Sequence, residues 1–547
     1  MTELSRRRWM LAAGTTAAAL VTSDTPATVV PAALEPVAAP PIRPGEPRYE
    51  DLARRRINAR FDPRPAQFRV PTCTEQVVRA VQDAVRAGRR ITVRSGGHGQ
   101  ENFVGEGNHG LVIDLVELNR VEFDPARQAF LIEPGARLMD VYQKLYFGWG
   151  VTIPGGQCGT VGAGGHIQGG GYGPLSRMFG STVDHLYGVE VVVVDRAGNA
   201  HVVVATREPD DPHHDLWWAH TGGGGGNFGV VTKYWMRSPG ATAGTDPARI
   251  LPQPPASMLS GSVEWSWQDL RKDTFRLLLR NHGAWHARNS VPGTPQARLF
   301  SALFITNNSA AATFQATADV DGTLPGAQRL LDDYLDALSA RTSGRRREQT
   351  RAPWYEATWR TVQGQIAQPF RYKQKAAYLR RQYTDAQIDT IHDTLTRPGN
   401  DMLALELLSY GGQVNAVAPE ATALPQRDSV MKALFVGGWA DAAGDAEAIR
   451  RVAQFYSDVY ADTGGFPVPN AVSDGCYINY PDIDVLSRQW NPTGIAWPAL
   501  YYKGNYPRLQ RVKRDYDPRN VFWHALSVEL SASEKPQVTE DRHIIGG

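Results

Sequence analysis

Cysteine is scarce in this 547-residue chain, which has three, at positions 73, 158 and 476. None stands at C-x-x-C spacing, so a thiolate metal site is excluded, and three cannot staple a disulfide scaffold. One Cys73–Cys476 bond stays open, which would leave Cys158 as the odd thiol. A surplus of either charge is missing as well. Lys and Arg number 58 against 56 Asp and Glu, a net charge of +2, whereas a nucleic-acid protein gathers a basic excess on one face. No G-x-x-x-x-G-K-[ST] loop occurs, which excludes a P-loop. Long apolar runs are also wanting. The Ala-rich stretch in "SRRRWMLAAGTTAAALV" is too short to span a bilayer. No metal set emerges either: His213, His214, Asp215 and His220 read as exposed loop residues beside a Trp pair.

What is present is an ordinary globular mixture, 42% hydrophobic and 21% charged. The length exceeds one core, so two or three domains are expected. Arginines before a short apolar run have the form of a twin-arginine export signal, with cytoplasmic residence as the alternative. Residues 1–45 are therefore read as signal plus Ala/Pro-rich linker.

From residue 68 the pattern turns regular. Thr72 and Glu75 stand at capping-box spacing, and Val77, Ala80, Val81, Ala84 and Val85 fall on one helical face ended by Gly88. "ITVR", "GLVIDL" and "AFLIEPG" read as strands, "RLMDVYQKLYFGWG" as a helix, and "GVEVVVVDRAGNAHVVV" as two strands turning at 197–199. Further on, "ARLFSALFIT" and "DMLALELLSY" are strands, while "DAEAIRRVAQFYSDVYA" and the tail before Asp517-Pro518 are helical. The expected fold class is α+β, with domains at 46–250, 251–475 and 476–547.

Glycine is the abundant signal. "GGQCGTVGAGGHIQGGGYG", residues 155–173, has ten glycines in nineteen positions, and "TGGGGGNFG" follows at 221–229. Such density serves where backbone must bend sharply or let a ligand approach, and turns rich in N–H groups cradle anions. A loose G-x-G-x-x-G match adds little by itself.

Five motifs occur in order: "RSGGHG" (94–99), "PGGQCGTVGAGGHIQGGGYGPLSRMFG" (154–180), "HTGGGGGNFGVVT" (220–232), "YINYPD" (477–482) and "NYPRLQRVKRDYDPRNVF" (505–522). Together they resemble the berberine-bridge-enzyme-like branch of the vanillyl-alcohol-oxidase flavoproteins. The likeness is greatest to the actinomycete sugar oxidases acting on antibiotics, the glycopeptide hexose oxidases and aclacinomycin oxidoreductase. It runs from about residue 50 to 530. It implies a two-part FAD-binding domain of PCMH type, formed by 46–250 and 476–547, and a substrate domain with an antiparallel sheet flanked by helices.

The resemblance also implies FAD bound covalently through His98 and Cys158. A neutral imidazole and a thiolate suit that role. Arg94, Ser95, Gly96, Gly97 and Gly99 would surround the pyrophosphate. Gly162, Gly165, Gly170 and Gly171 would line the flavin and ribityl chain, Gly229 and Val231 the adenine end, and Asn505 would be a polar contact near the flavin. Tyr480 would be the catalytic base, which requires cations or charge-assisted hydrogen bonds to depress its phenol. Tyr172 would lie beside the flavin and Tyr410 would be a second proton-handling or substrate-binding tyrosine. Tyr477, two positions from Asn479, is expected to share a strand face with Asn479 and to point away from Tyr480. The loop "GQENF" (99–103), where relatives vary, would bear on substrate or oxygen access. The implied reaction removes a hydride from a sugar or secondary-metabolite alcohol and passes electrons to O2, giving H2O2. Oxidative cyclisation or desaturation is the alternative. Partners are then a sugar or glycosylated natural product and O2, with no nucleic acid and no membrane after export.

Overall fold

The structure, a computed structural model, describes residues 38–105, 110–364 and 369–531. Residues 1–37, where an export signal is expected, lie outside them. The linker reading fails at its end: Ala39 and Ile42 are buried, and Ile42 exchanges both backbone hydrogen bonds with Phe68 at 2.9 Å.

Three sheets organise the chain. A parallel three-stranded sheet runs Gln67–Arg69, Leu111–Asp114, Ile91–Arg94. An antiparallel five-stranded sheet orders Val121–Asp124, Ala129–Ile132, Val230–Met236, Leu186–Val194 and Ala200–Thr206. The helix Thr74–Arg86 lies between them, and its buried Val77, Ala80, Val81 and Ala84 pack with Ile91, Ile113, Val192 and Val230. Val85 is only half-buried. The capping box does not form. Cys73 takes the N-cap position without a side-chain bond, and the Thr72 N–H donates to Gln76 Oε1 at 2.8 Å. No Cys73–Cys476 bond forms either: both are thiols, Cys476 being buried 3.5 Å from the Tyr456 hydroxyl.

The third sheet has eight antiparallel strands between Ser257 and Trp439. Its central order is Ser257–Ser266, Thr313–Asp321, Leu299–Thr306, Leu403–Ser409, Met431–Trp439, Arg371–Leu379. Strand side chains alternate between faces. Leu303, Ile305, Leu405, Leu407, Ala433 and Phe435 belong to the main core with Leu278, Leu331, Ile388 and Val452, from the helices Lys272–Arg288, Ala327–Ser339, Asp385–Leu395 and Asp445–Val459. The opposite face carries Phe300, Gln374, Glu406, Leu408 and Leu434, and it roofs a cleft.

The C-terminal segment returns to the first sheet. Phe522 bridges Ile91, and the helix Tyr506–Tyr516 is anchored by fully buried Lys513, whose Nζ donates to Asn227 O at 2.7 Å and Asp517 Oδ2 at 2.6 Å. Glycine loops from the first half and residues from the last fifth thus meet in one place.

Candidate active site

The cleft has a volume of about 480 Å³. Its floor is backbone. The strand Ile91–Arg94 ends in buried Arg94, whose Nε donates to fully buried Asp114 at 2.7 Å. Arg55 joins the same carboxylate and also reaches Ser95 O. The strand end is thereby fixed, and the next residues turn sharply. A Cβ on Gly96 would lie 2.2 Å from Gly162 N, and one on Gly162 2.1 Å from Ser95 Oγ. Only glycine permits that approach of two loops. The N–H groups of Gly96, Gly97 and His98 donate to no other described residue, which leaves them for an anionic ligand.

Two nucleophilic side chains converge on one hydroxyl. His98 Nε2 lies 3.0 Å from Thr160 Oγ1, and Cys158 Sγ lies 3.4 Å from the same oxygen. Burial, helped by the Arg137 and Arg55 charges, pushes the His98 imidazole down to about 4. It is therefore neutral near pH 7 and able to use a ring nitrogen lone pair.

Tyrosines close one side of the cleft. The hydroxyls of Tyr172 and Tyr480 are 3.2 Å apart. Tyr477 lies with its ring 5.1 Å from that of Tyr480, and its hydroxyl accepts from Gly171 N at 3.0 Å and Asn479 Nδ2 at 3.1 Å. Behind them is Lys432 Nζ, 3.2 Å from the ring centre of Tyr172, 3.7 Å from Tyr477, 4.5 Å from Tyr378 and 4.7 Å from Tyr410. It meets no hydrogen-bond acceptor among the described residues, and burial holds its pKa well below the ordinary lysine range. Such a group interacts with the ring faces rather than with a counterion.

A buried ionic cluster joins floor to roof. Lys373 Nζ donates to Glu101 at 2.6 Å and Asp482 at 2.9 Å, and Lys375 Nζ to Asp484 at 2.6 Å. Glu101 lies three residues after His98, and Asp482 two after Tyr480. The cluster therefore sets the His98 loop and the Tyr480 loop in register. Phe103, in the same loop, stacks on His524 at 4.1 Å.

The sequence matches the model described as FAD binding domain over residues 65–201, and the model for berberine and berberine-like proteins over 476–529. It is 46% identical over 465 residues to the aclacinomycin-N/aclacinomycin-A oxidase of Streptomyces galilaeus, covering 84% of each chain. The chain belongs to the berberine-bridge-enzyme-like FAD-linked oxidoreductases. The hexose oxidase of Chondrus crispus is 29% identical over 458 residues, covering 76% of this chain and 81% of that one. Among solved structures, a glycopeptide hexose oxidase complexed with teicoplanin superposes with a TM-score of 0.86 at 49% identity, covering 91% of this chain and all of that one. The expected α+β, PCMH-type architecture is thereby established.

The residues present fit FAD. The undonated N–H groups of the Arg94–Gly99 turn suit a pyrophosphate, and a floor of glycine backbone, packed too closely for a Cβ at Gly96 and Gly162 and open at Gly165, suits a flat ring system. Arg94, Ser95, Gly96, Gly97, His98, Gly99, Cys158, Gly162, Gly165, Gly229 and Val231 all line the cleft, as do Tyr172 and Tyr480.

Four expected site residues stand elsewhere. Gly170 and Gly171, both at positive φ, pack against Leu424 and Thr182 behind the cleft. Asn505 Nδ2 donates to Pro419 O at 2.8 Å and Thr422 O at 3.0 Å, pinning a loop. Tyr410 is buried behind Tyr172, rings 6.1 Å apart, and does not reach the cleft. Tyr477 departs in the other direction. "YINYPD" is a turn, closed by Tyr480 N donating to Tyr477 O at 2.9 Å, so both rings face the cleft. The histidine reading also changes: His214–Ala219 is a short helix, and buried His220 bonds Leu216 O at 2.7 Å. Nor is the Tyr480 phenol depressed by this chain's groups. Burial pushes it up to about 12, with the Tyr172 hydrogen bond acting against that rise.

Sequence reasoning missed Glu406, Lys432, Gln374 and the Lys373 cluster. A signal was present for two of them, because "LALELLS" and "VMKALFV" each hold a lone charge inside an apolar strand. A charge is rarely buried there without a task.

Proposed function

We propose that this enzyme oxidises a carbinol carbon of a sugar or glycosylated natural product, with O2 as electron acceptor and H2O2 as the second product. FAD, when bound, supplies the hydride acceptor and the onward two-electron reduction of O2. Tyr480 first loses its own proton to solvent, and the phenolate oxygen then takes the proton of the substrate hydroxyl as the carbon loses its hydride, leaving a carbonyl and a neutral phenol. Tyr172 donates a hydrogen bond to that oxygen, which favours an anion there. We also propose that FAD is attached twice, through the His98 imidazole and the Cys158 sulfur. The observation that carries the reading is the convergence of His98 and Cys158 on Thr160, in the cleft that holds the Tyr172–Tyr480 pair. Relatives named as an aclacinomycin-N/aclacinomycin-A oxidase and a hexose oxidase support the substrate class. A twin-arginine-type export leader is proposed within residues 1–37, which cell fractionation checks by finding the mature protein outside the cytoplasm.

The test is acid precipitation followed by an absorption spectrum. Flavin colour should stay in the pellet for the native protein and for His98→Ala or Cys158→Ala alone, and leave it only in the double variant. Release from the native protein rejects both bonds. Peroxide formation is then measured on free sugars and glycosylated antibiotics, and absence of H2O2 with all of them rejects the oxidase reading.

A further inference from the structure

We propose that Glu406 determines specificity by pairing with a protonated amine of the substrate, so that aminoglycosyl compounds are the preferred class. This rests on the reading above, that a glycoside enters beneath the roof. In the strand Leu403–Ser409, Glu406 shares a face with Leu408, and its cross-strand neighbours are Phe304 and Leu434. All but Phe304, which is 41% exposed, line the cleft. The carboxylate sits in this apolar wall without a hydrogen bond or ion pair to any described residue.

Every cation nearby is already committed. Glu101, the other carboxylate lining the cleft, has Lys373 at 2.6 Å. Arg94 is held by Asp114. Lys432, on the adjacent strand two residues before Leu434, is enclosed by the rings of Tyr172, Tyr378, Tyr410 and Tyr477. A carboxylate in such surroundings is costly unless paired, and burial accordingly pushes Glu406 up to about 7. Its charge also raises the phenols of Tyr172 and Tyr480, which places it at the reacting end of the cleft. A substrate ammonium would supply the missing partner through a charge-assisted bond. A neutral hydroxyl would leave the charge uncompensated.

The test is calorimetric binding to the holoenzyme and to its Glu406→Gln variant at about pH 8. The probes are methyl 3-amino-3-deoxyglucoside, methyl 6-amino-6-deoxyglucoside and methyl glucoside. At least one amino glycoside should bind about tenfold or more tightly than methyl glucoside to the native enzyme. That preference should vanish in Glu406→Gln, whose flavin content and unfolding temperature report its fold. Equal binding, no binding, or a preference that survives in Glu406→Gln overturns the proposal. Peroxide assays separate the two readings. If H2O2 forms from neutral glycosides without any amine preference, this inference alone fails; if no sugar or glycoside gives H2O2, the oxidase reading fails.

Discussion

The floor and the roof of the cleft are built from different materials. The floor is main chain, pressed so close at Gly96 and Gly162 that a single added carbon would collide. The roof is side chain: Phe300, Gln374, Glu406, Leu408 and Leu434 project from one sheet face, flanked by the tyrosines of the terminal turn. A backbone cradle suits a ligand that never varies, because its N–H groups and its shape are fixed by the fold. A side-chain roof can change one contact without moving a strand. The division therefore separates cofactor holding from substrate choice.

Changes confined to the roof should abolish turnover while flavin stays bound. Tyr480→Phe should lower kcat by about 10²- to 10⁴-fold, the usual worth of a positioned base, with an unaltered flavin spectrum. Loss of flavin together with rate would show that floor and roof are one unit.

The seam between them should be the place where stability is lost. Lys373→Met leaves Glu101 and Asp482 buried without that cation, and breaking a buried pair costs about 3–5 kcal/mol. Denaturant unfolding measures it, and a change under 1 kcal/mol (~) would reject the coupling of the two loops.

Within the floor, two glycines should part company. Gly162→Ala overpacks Ser95 and Gly96, at a cost of about 1–3 kcal/mol, and flavin content should fall about tenfold. Gly165→Ala meets no protein atom within 4 Å, so the fold should persist and any loss of flavin reports the ligand's own approach.

A further effect, acting on the whole fold, is on pH. His166, His220 and His524 are pushed down to about 4 by burial. The unfolded chain binds their protons first, so stability is full above about pH 6.5 and declines towards about 4. Each contributes up to about 1.4 kcal/mol per pH unit. Glu406, raised to about 7, acts with the opposite sign and offsets one of them over part of that range. Unfolding temperatures between pH 7 and 5 should fall, and fall more steeply in Glu406→Gln.

How much was legible beforehand follows the same division. Gly96, Gly97, His98, Cys158 and Gly162 were reached through a family resemblance carried by local motifs, and those motifs are visible because a backbone cradle needs glycine at fixed positions along one local segment. The paired strands of 186–206 and the helix 74–86 were legible for the same reason, since periods of two and 3.6 are local. Gly170 and Gly171 looked like the same signal but answer to Leu424 and Thr182, distant partners that no local pattern reveals.

The sequence by itself determined the elements, the glycine turns and the residue types able to hold a flavin. Only the tertiary structure decided which charges are paired. Lys373 and Glu101 lie 272 positions apart, yet they meet at 2.6 Å, while Glu406 has no ion-pair or hydrogen-bond partner among the described residues. Pairing of buried charge depends on distance in space across separate strands and loops, and burial makes it energetically decisive.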